Sequence, residues 1–534
     1  MSSTTARTYQ SAVDALNSLQ SNAATIEAIR KSGGKGGDVQ LREQVEYMQK
    51  MGYSPEDLNH INVLHITGTK GKGSTSAFVS SLLTTLAPSA KIGLYTSPHM
   101  VAVRERIRIN GEPIAEEMFA KYFWDVWDKL EADPTTADAD TPEKPAYFRY
   151  LTIMAMHVFL QEKVDATILE VGVGGTFDST NIVPSPITTG VTALGIDHIW
   201  VLGKTLPEIA HQKGGIYKAG TPALAVAQPE GLDVLESRSK ELQASSFTVI
   251  PELAQLNNVK LGLAGAHQRQ NASLAIALVQ SFLSSTRCPP VFSEVSLPSP
   301  LTPAASADAL PTLPSSLTAP NPLPRSYTIA LENARWPGRC QIEQDKVSER
   351  VQWYLDGAHT VESLKCCGEW FDEAALRRRG DAVDKADFLP SSSSSAASRI
   401  LIFNCTSGRS GLSLLGTLLA ALSSTSSAQP SQPFAHVIFC TNTTYSSGAS
   451  KGDLTSNAVD PSDLAALATQ REIADAWAEL TTALTPQATV HVLASIEEAV
   501  AVVRKAGEKE DVQALVTGSL HLVGGVMAVA ELPL

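Results

Sequence analysis

The stretch "HITGTKGKGSTSAFV" (65–79) decides the fold of the first half of the chain. An apolar run, "NVLHIT", leads into a loop rich in glycine and lysine, and a helix-forming run, "TSAFVSSLLTTL", follows it. A strand, a Gly-rich turn and a helix in this order point backbone N–H groups at a phosphate. Lys72 can reach the terminal phosphates of a nucleotide, and the hydroxyl of Ser74 or Thr75 can approach a phosphate oxygen or a metal-bound water. The stretch therefore predicts a nucleotide-phosphate loop.

The loop departs from the common G-x-x-x-x-G-K-[ST] pattern. Two residues separate Gly68 from Gly71, and Gly73 stands between the lysine and the serine. The alternative interpretation is a flexible Gly/Lys loop that binds nothing, but the flanking strand and helix favour phosphate binding. The candidate nucleotide contacts in the loop are Gly68, Thr69, Lys70, Gly71, Lys72, Gly73 and Ser74.

Further apolar runs extend the pattern on both sides of a change in composition. "KIGLYTS", "DATILEVG" and "ITTGVTALGI" alternate with helical stretches in the first half, and "WYLDGAH", "RILIFNC", "HVIFCTN", "TVHVLAS" and "ALVTGS" do so in the second. Such alternation predicts parallel sheets flanked by helices. The fold class is therefore α/β, with a P-loop-type parallel-sheet ATPase domain followed by a smaller Rossmann-like α/β domain. Residues 287–325 are rich in Pro, Ser and Ala and separate the two domains as a linker or insertion, which gives expected domains at 1–286 and 326–534.

Composition narrows the class of protein. The formal net charge of −13 disfavours binding to nucleic acid or to an anionic membrane surface, so an anionic substrate needs a local basic site. The six cysteines form no CxxC pair, which fits a reducing compartment. No run approaches the ~20 apolar residues of a membrane span. We expect a cytoplasmic monomer without stable membrane association. A mitochondrial form of the protein, in addition to the cytoplasmic one, stays open.

Several blocks of the sequence resemble the folylpolyglutamate synthases, which are ligases of the Mur superfamily, and in particular those of eukaryotes. The loop "GTKGKGST" carries the resemblance first. The other blocks occur in the family's order and cover most of the chain outside the Pro-rich and Ser-rich insertions: "LYTSPHMVAVRERIRINGEPI" (94–114), "ILEVGVGGTFDSTNIV" (168–183), "LGIDHIWVLGKTLPEIAHQKGGIYKAG" (194–220), "GAHQRQNASLA" (265–275), "ARWPGRCQ" (334–341), "YLDGAHT" (354–360) and "VTGSLHLVG" (516–524).

The resemblance implies the reaction and its metal. A folate γ-carboxylate would attack the γ-phosphate of ATP, and the amino group of L-glutamate would then displace phosphate from the acyl phosphate. Ser97, Glu170 and His198 match the family's Mg²⁺ ligands, and K⁺ is a further expected monovalent cation. Glu170 also ends an apolar strand, which is where parallel sheets place ligands. Lys213 matches a lysine that is carbamylated in the family and can support a second Mg²⁺, so Lys72, Lys213 and His359 are the expected catalytic residues.

The resemblance also assigns candidate residues to each of the three expected substrates, which are ATP, L-glutamate and reduced folates. Asn271, Arg339 and Asp356 match ATP contacts, while His359 and Ser519 match positions that bind the incoming glutamate. For the folate, the candidates are Arg104 and Asp178. In "RERIRI" the arginines Arg104, Arg106 and Arg108 would share one face of a strand, although a solvated charged face is the alternative.

Three other functions stay open at this point. Dihydrofolate synthase uses the same chemistry but adds the first glutamate to dihydropteroate, and a bifunctional enzyme would do both. The arginine-rich "RERIRING" and "ARWPGRCQ" blocks look more like dedicated polyglutamate synthases. A non-catalytic nucleotide switch would keep the phosphate loop but would not need Glu170, His198, Asp356 and His359 in four separate matching blocks.

Overall fold

The computed structural model of the chain describes residues 6–20, 37–135, 141–295, 323–384, 397–405, 410–423, 432–447 and 467–533. The chain divides into two compact units. The first comprises Met1–His99, Val103–Gly262 and Ala266–Arg335. The second comprises Met100–Ala102, Leu263–Gly265 and Trp336–Leu534. The division differs from the expected boundaries because helix Arg325–Asn333 packs on the first unit, where Ser81 Oγ donates to Ala330 O at 2.7 Å.

The first unit is built on an eight-stranded sheet. In sheet order its strands are β4 (Glu112–Pro113), β3 (Ile107–Ile109), β2 (Ile92–Tyr95), β5 (Ala166–Glu170), β1 (Val63–Thr67), β6 (Thr188–Val191), β7 (Pro222–Val226) and β8 (Ser246–Ile250). The run from β2 to β8 is parallel, and β3 and β4 add an antiparallel edge. β1 and β5 are buried at every residue, as the apolar composition of strands covered on both faces requires.

Helices cover this sheet. They are α1 (Tyr9–Ser18), α2 (Gly37–Lys50), α3 (Lys72–Leu86), α4 (Glu116–Ala132), α5 (Tyr147–Glu162), α6 (Ile199–Leu202), α7 (Leu206–Gly214), α8 (Leu232–Glu241), α9 (Gln268–Leu283) and α10 (Arg325–Asn333). One large apolar core joins residues of α1, α2, α4 and α5 to the sheet. Helix α3 begins directly after the glycine loop and buries most of its first three turns, so the loop is anchored on a central strand and on a buried helix.

The second unit holds a six-stranded sheet. In sheet order the strands are β13 (Thr489–Leu493), β12 (His436–Cys440), β11 (Ser398–Phe403), β14 (Val512–Thr517), β10 (Val351–Leu355) and β9 (Gln341–Gln344), of which β9 alone pairs antiparallel. The helices are α11 (Val361–Asp384), α12 (Gly411–Ser423), α13 (Ala468–Thr481), α14 (Ile496–Gly507) and α15 (Leu520–Val529). Side chains alternate between two cores, with Trp353 in one and Tyr354 in the other, as expected for a sheet covered on both faces.

The predicted fold class is confirmed, and each of the quoted strand runs contains a strand of the structure. The strand expected over "RERIRI" is wrong in its first half. Val103–Arg106 forms a 3₁₀ turn and only Ile107–Ile109 pairs in the sheet, so the three arginines do not share a strand face.

The predicted linker is not a uniform spacer. In its first part Phe292 is buried and packs edge-on against Phe282 of α9, with ring centroids 5.3 Å apart. Residues 296–322, and the Ser-rich run Ser391 to Ser395, lie outside the described residues. In the part of the chain that is described, no helix is both long enough and apolar enough to cross a membrane.

Candidate active site

The glycine loop is held in place by the residues that follow β6. The backbone N–H groups of Thr69 and Lys70 both donate to Ala193 O, at 2.9 and 3.1 Å. Thr192 Oγ1 donates to Lys70 O at 2.7 Å. A side chain at Gly68 would collide with Thr192, so only glycine lets the loop lie this close to the neighbouring strand end. The loop is therefore a fixed cradle rather than a free surface loop.

Helix α3 supplies the N–H groups that the cradle needs. Gly71 caps the helix with φ +89° and, being glycine, has no side chain that could occupy the first N–H groups. The first N–H groups of any helix lack partners within the helix, and the helix dipole favours an anion there. This end of α3 can therefore bind phosphate through the backbone.

Two lysine side chains share one carbonyl of the loop. Lys72 Nζ donates to Gly68 O at 3.1 Å, and Lys213 Nζ of α7 donates to the same oxygen at 2.7 Å. Lys213 is 3% exposed. Burial, and then the nearby charge of Lys72, lower the pKa of Lys213 to about 7. At neutral pH only part of the Lys213 population is an ammonium group, and a polyanion bound beside Lys72 would favour that charged form because little water screens the two groups.

A polar chain connects the loop to helix α9. Asn271 Nδ2 donates to Gln268 Oε1 at 2.9 Å, and Gln268 Nε2 donates to Ser74 Oγ at 3.3 Å. A Cβ added at Gly71 would collide with Asn271 Oδ1. The structure thus brings Asn271 directly against the predicted phosphate loop.

Two of the predicted metal ligands, Glu170 and Ser97, are in direct contact. Glu170 ends β5 and is 4% exposed, and its Oε2 accepts from the backbone N–H of Ser97 at 3.2 Å. His198 has φ +50° and begins the short helix α6, where its backbone N–H donates to Asp197 Oδ1 at 2.8 Å. About half of the His198 side chain is exposed. The role of His198 as a ligand stays a prediction.

The donors present suit Mg²⁺. The described residues contain no group of three or more His, Cys, Asp and Glu side chains that could hold a metal ion. Mg²⁺ keeps several waters and binds through one or two carboxylates and substrate phosphates, so a sparse site with one buried carboxylate and a serine hydroxyl fits it.

The three arginines of "RERIRI" have separate partners. Arg104 Nη1 donates to Ile114 O at 3.1 Å. Arg106 Nε donates to His99 Nδ1 at 3.0 Å, and its guanidinium lies 5.4 Å from the centre of the Tyr147 ring. Arg108 is buried and donates to two carbonyls, which makes it a structural residue of the strand edge. Arg104 stays a predicted folate contact.

Asp178 holds the turn that follows Glu170. Its Oδ2 accepts from the N–H groups of Gly172 and Val173, and its Oδ1 accepts from the N–H and the hydroxyl of Thr180. Thr180 Oγ1 lies 2.8 Å from Nε2 of His65 in β1. Direct binding of folate by Asp178 is untested by these contacts and stays a prediction.

In the second unit, Asp356 lies at the carboxyl end of β10. Its Oδ2 accepts from the Cys340 N–H at 2.8 Å, and its Oδ1 accepts from the Ala358 N–H at 2.9 Å. A Cβ at Gly357 would lie 2.8 Å from Arg339 Nη1, so the predicted ATP contacts Arg339 and Asp356 are brought to the same strand end. Carboxyl ends of parallel strands are the usual ligand edge of such a sheet.

The two predicted glutamate contacts lie at this edge as well. His359 Nδ1 lies 2.9 Å from Gly357 O, which makes Nδ1 the protonated nitrogen. Ser519 caps helix α15, where its Oγ accepts from the Leu522 N–H at 3.4 Å. β10 and β14 pair in parallel, and the Gly518 N–H donates to Ala358 O at 2.8 Å, so the two segments are adjacent.

Sequence reasoning missed Thr192 and His65. Thr192 stands at the end of a predicted strand, at the same sheet edge as the phosphate loop. That position could have indicated that Thr192 lies near the loop. His65 is a polar residue within an apolar strand, "VLHIT", and a strand buried on both faces rarely holds an imidazole without a partner.

Comparisons with known proteins place the chain in a family, although no family model matches it. It is 42% identical to a folylpolyglutamate synthase of Candida albicans over 98% of this chain and 96% of the relative. It is also 42% identical to the folylpolyglutamate synthase of Saccharomyces cerevisiae (strain FostersO), over 98% of this chain and 87% of that relative. Among solved structures, the apo form of FPGS from L. casei matches with a TM-score of 0.64 and 21% identity, over 98% of this chain and 100% of the other. The structure of the Mycobacterium tuberculosis folylpolyglutamate synthase complexed with ADP and AMPPCP matches with a TM-score of 0.61 and 21% identity. The match covers 92% of this chain and 95% of the other. The chain belongs to the folylpolyglutamate synthase family.

Proposed function

We propose that the chain catalyses the ATP-dependent addition of L-glutamate to the γ-carboxyl group of folylpolyglutamates, with reduced folates among its substrates. The observation that carries this proposal is the pair of lysines on Gly68 O at the phosphate loop, in a chain 42% identical to folylpolyglutamate synthases over nearly its whole length. The reaction is the one that the relatives are named for. The phosphate loop contains the cations and backbone N–H groups that a phosphoryl transfer requires.

The first step activates the carboxylate. One oxygen of the folate γ-carboxylate attacks the γ-phosphorus of ATP, and ADP leaves with the electrons of the broken P–O bond. The ammonium group of Lys72 and the N–H groups at the start of α3 neutralise charge on the transferring phosphoryl group. These groups are fixed before the substrate arrives because the loop is bonded to Ala193 and Thr192.

Mg²⁺ would be held by Ser97 and Glu170, with His198 as the third predicted ligand. When bound, it supplies positive charge to the phosphate oxygens and orients the triphosphate. Glu170 is suited to this role because its carboxylate is buried at a strand end and oriented by the Ser97 N–H. We propose K⁺ only as a further monovalent cation of the same region.

Lys213 is the second proposed catalytic group of the first unit. Its pKa of about 7 leaves a substantial fraction of neutral amine at physiological pH. A neutral amine can attack CO₂, and loss of one proton then gives a carbamate anion. That modification would replace a buried cation by an anion able to support a second Mg²⁺, as the family resemblance implies.

The second step forms the amide. The amino group of glutamate attacks the acyl carbon, phosphate leaves, and the amine loses a proton. His359 and Ser519 are the proposed glutamate contacts, and Arg339 and Asp356 the proposed contacts of ATP. The acyl phosphate must be kept from water until the amine attacks, which is why we propose that both units act in one reaction.

Addition to dihydropteroate is the second candidate, and a bifunctional enzyme would combine the two. One solved structure with the same fold, E. coli FolC in complex with DHPP and ADP, has a TM-score of 0.57 and 19% identity. The more similar relatives at 42% identity favour polyglutamate synthesis. All six cysteines are free thiols, which supports a reducing compartment such as the cytoplasm, or the mitochondrial matrix.

Mass spectrometry of the product tests the proposal. Purified protein with ATP, Mg²⁺, L-glutamate and tetrahydrofolylglutamate should yield folates longer by one glutamyl residue and then by more. If the folate gains no glutamyl residue, the proposal is refuted, whether or not ATP is consumed.

A further inference from the structure

Three hydrogen-bonded side chains connect the central strand β1 to the turn after Glu170. His65 Nε2 lies 2.8 Å from Thr180 Oγ1, and Thr180 Oγ1 lies 2.6 Å from Asp178 Oδ1. His65 and Thr180 are fully buried, and Asp178 is 7% exposed. At this depth water cannot substitute for a lost partner, so the three groups depend on one another.

The direction of these bonds follows from the donors around Asp178. Its two oxygens accept four bonds, from the Gly172, Val173 and Thr180 N–H groups and from the Thr180 hydroxyl. A carboxylate that accepts four bonds is an acceptor only. Thr180 has a single hydroxyl proton and gives it to Asp178, so Thr180 Oγ1 must accept from His65. The His65 proton therefore lies on Nε2.

The other ring nitrogen of His65 shows that the residue is not there for packing alone. Nδ1 is buried without a hydrogen-bond partner in the described structure. An unpaired buried acceptor is unfavourable, and valine or isoleucine in the same strand would avoid that cost. The ring is neutral, because burial lowers the pKa of His65 to about 3. What the imidazole provides here is one N–H donor at a fixed position.

The network ends on the residues that follow the predicted metal ligand. One residue, Val171, separates Glu170 from Gly172 and Val173, and Asp178 accepts from the N–H groups of both. At the other end, Ile66, the neighbour of His65, pairs with Glu170 across β1 and β5. The network thus connects both sides of the strand end that carries the Glu170 carboxylate.

We propose that His65 is a positioning residue for the Glu170–Ser97 pair, acting through Thr180 and Asp178 on the turn that follows Glu170. This inference rests on the proposed role of that pair in holding Mg²⁺. The network explains both an imidazole inside an apolar strand and a buried aspartate whose oxygens are occupied by the turn.

Direct metal binding is the test, measured by electron paramagnetic resonance of Mn²⁺ in the presence of a non-hydrolysable ATP analogue. Thr180→Val removes the central hydroxyl. Thr167→Val is the matched control, because Thr167 is equally buried in β5 and its hydroxyl has no partner in the described structure. We expect Mn²⁺ to bind at least tenfold more weakly to Thr180→Val and unchanged to Thr167→Val. Affinity for the analogue without metal should not change in either variant.

A second pair of variants tests the donor itself. His65→Gln can place an amide N–H near the position of Nε2, whereas His65→Leu has no donor. His65→Gln should retain Mn²⁺ binding within about threefold, and His65→Leu should lose as much as Thr180→Val. Equal binding by Thr180→Val and wild type, or equal losses in Thr180→Val and Thr167→Val, would overturn the inference.

Two further measurements separate the possible failures. If Glu170→Gln binds Mn²⁺ like the wild type, the proposed metal site is wrong; if only Glu170→Gln loses binding, the positioning role of His65 is wrong. Nitrogen-15 NMR of histidine-labelled wild-type protein needs no variant to fold. It should show the His65 proton on Nε2 at neutral pH, and a proton on Nδ1 would contradict the inference.

Discussion

Lys72 and Lys213 donate to the same acceptor, the carbonyl oxygen of Gly68, although 141 positions separate them in the sequence numbering. Lys72 lies at the start of α3 and Lys213 near the end of α7, so two helices deliver their ammonium groups to one point of the phosphate loop. That carbonyl accepts from both lysine side chains and holds them at the phosphate loop. A bound phosphate would give them a stronger acceptor.

Replacing Lys72 by alanine should abolish most turnover and leave the fold intact. Among the described contacts, the Lys72 side chain bonds only to the loop carbonyl, so its loss should cost the fold little. The positive charge of Lys72 is needed to stabilise the phosphoryl group during its transfer. Loss of such a preorganised cation typically lowers kcat by roughly 100-fold or more. Steady-state ADP release and thermal unfolding measure the two effects. Lys240→Ala, which removes an exposed lysine paired with Glu236, is the control, and a Lys72→Ala enzyme with most of its activity would contradict the assignment.

The buried Lys213 should make stability depend on pH. Below pH 7 the folded and unfolded states both carry the proton, and the folded state bears the full cost of a buried charge, on the order of 5 kcal/mol. Between pH 7 and 10.5 the unfolded chain binds more protons, so the stability contributed by this group rises with pH. Lys213→Met should therefore exceed wild type in stability at pH 6 and lose most of that advantage by pH 9.

Chemical unfolding of both proteins in CO₂-free buffer measures this difference. CO₂ must be removed because a carbamate would replace the ammonium group. An advantage of Lys213→Met that is the same at pH 6 and pH 9, or no advantage at either pH, would contradict a depressed pKa at this site.

The close approach of Gly71 to Asn271 should be essential for binding ATP. In Gly71→Ala the new Cβ would collide with Asn271 Oδ1, and φ +89° would add a backbone strain of about 1–2 kcal/mol. Gly52→Ala is a matched control, since Gly52 has φ +87° and open space around its Cα. Calorimetry should show at least tenfold weaker ATP binding for Gly71→Ala only. Similar affinities of the two variants would mean that the contact with Asn271 does not shape the site.

His359→Ala should raise the glutamate requirement far more than the ATP requirement. We assign His359 to the incoming amino acid, so the ATP contacts Arg339 and Asp356 stay in place in this variant. We expect KM for glutamate to rise at least tenfold and KM for ATP to change less than threefold at saturating folate. His436→Ala in the same unit is the control, and equal changes in both KM values would refute the assignment.

Most of the fold could be predicted from the sequence because buried parallel strands consist of apolar runs. Each quoted run became a strand, and the loop of 68–73 was recognisable from its flanking strand and helix. β4, β7, β8 and β9 were missed. β9 is a half-exposed edge strand with the mixed sequence "QIEQ", which no period-2 pattern distinguishes from a loop.

The arrangement of the site was less predictable, since it depends on contacts between distant segments. Nothing in the sequence around Gly68 indicates that Lys213 shares its carbonyl, or that Thr192 packs against it. The arginines of "RERIRI" were misread because a 3₁₀ turn precedes a three-residue strand, and the alternating charges of the segment suit either structure. Asp178 was predicted as a folate contact, whereas the four backbone and hydroxyl donors that surround its carboxylate could be seen only in the fold.

Glutamate-dependent ADP release with two different acceptors tests the central claim most directly. Purified protein with ATP and Mg²⁺ would be given tetrahydrofolate in one reaction and dihydropteroate in the other, each with and without L-glutamate. The proposed function predicts that glutamate stimulates ADP release strongly with tetrahydrofolate and little with dihydropteroate. Release that is faster with dihydropteroate, or independent of glutamate with both acceptors, would contradict it.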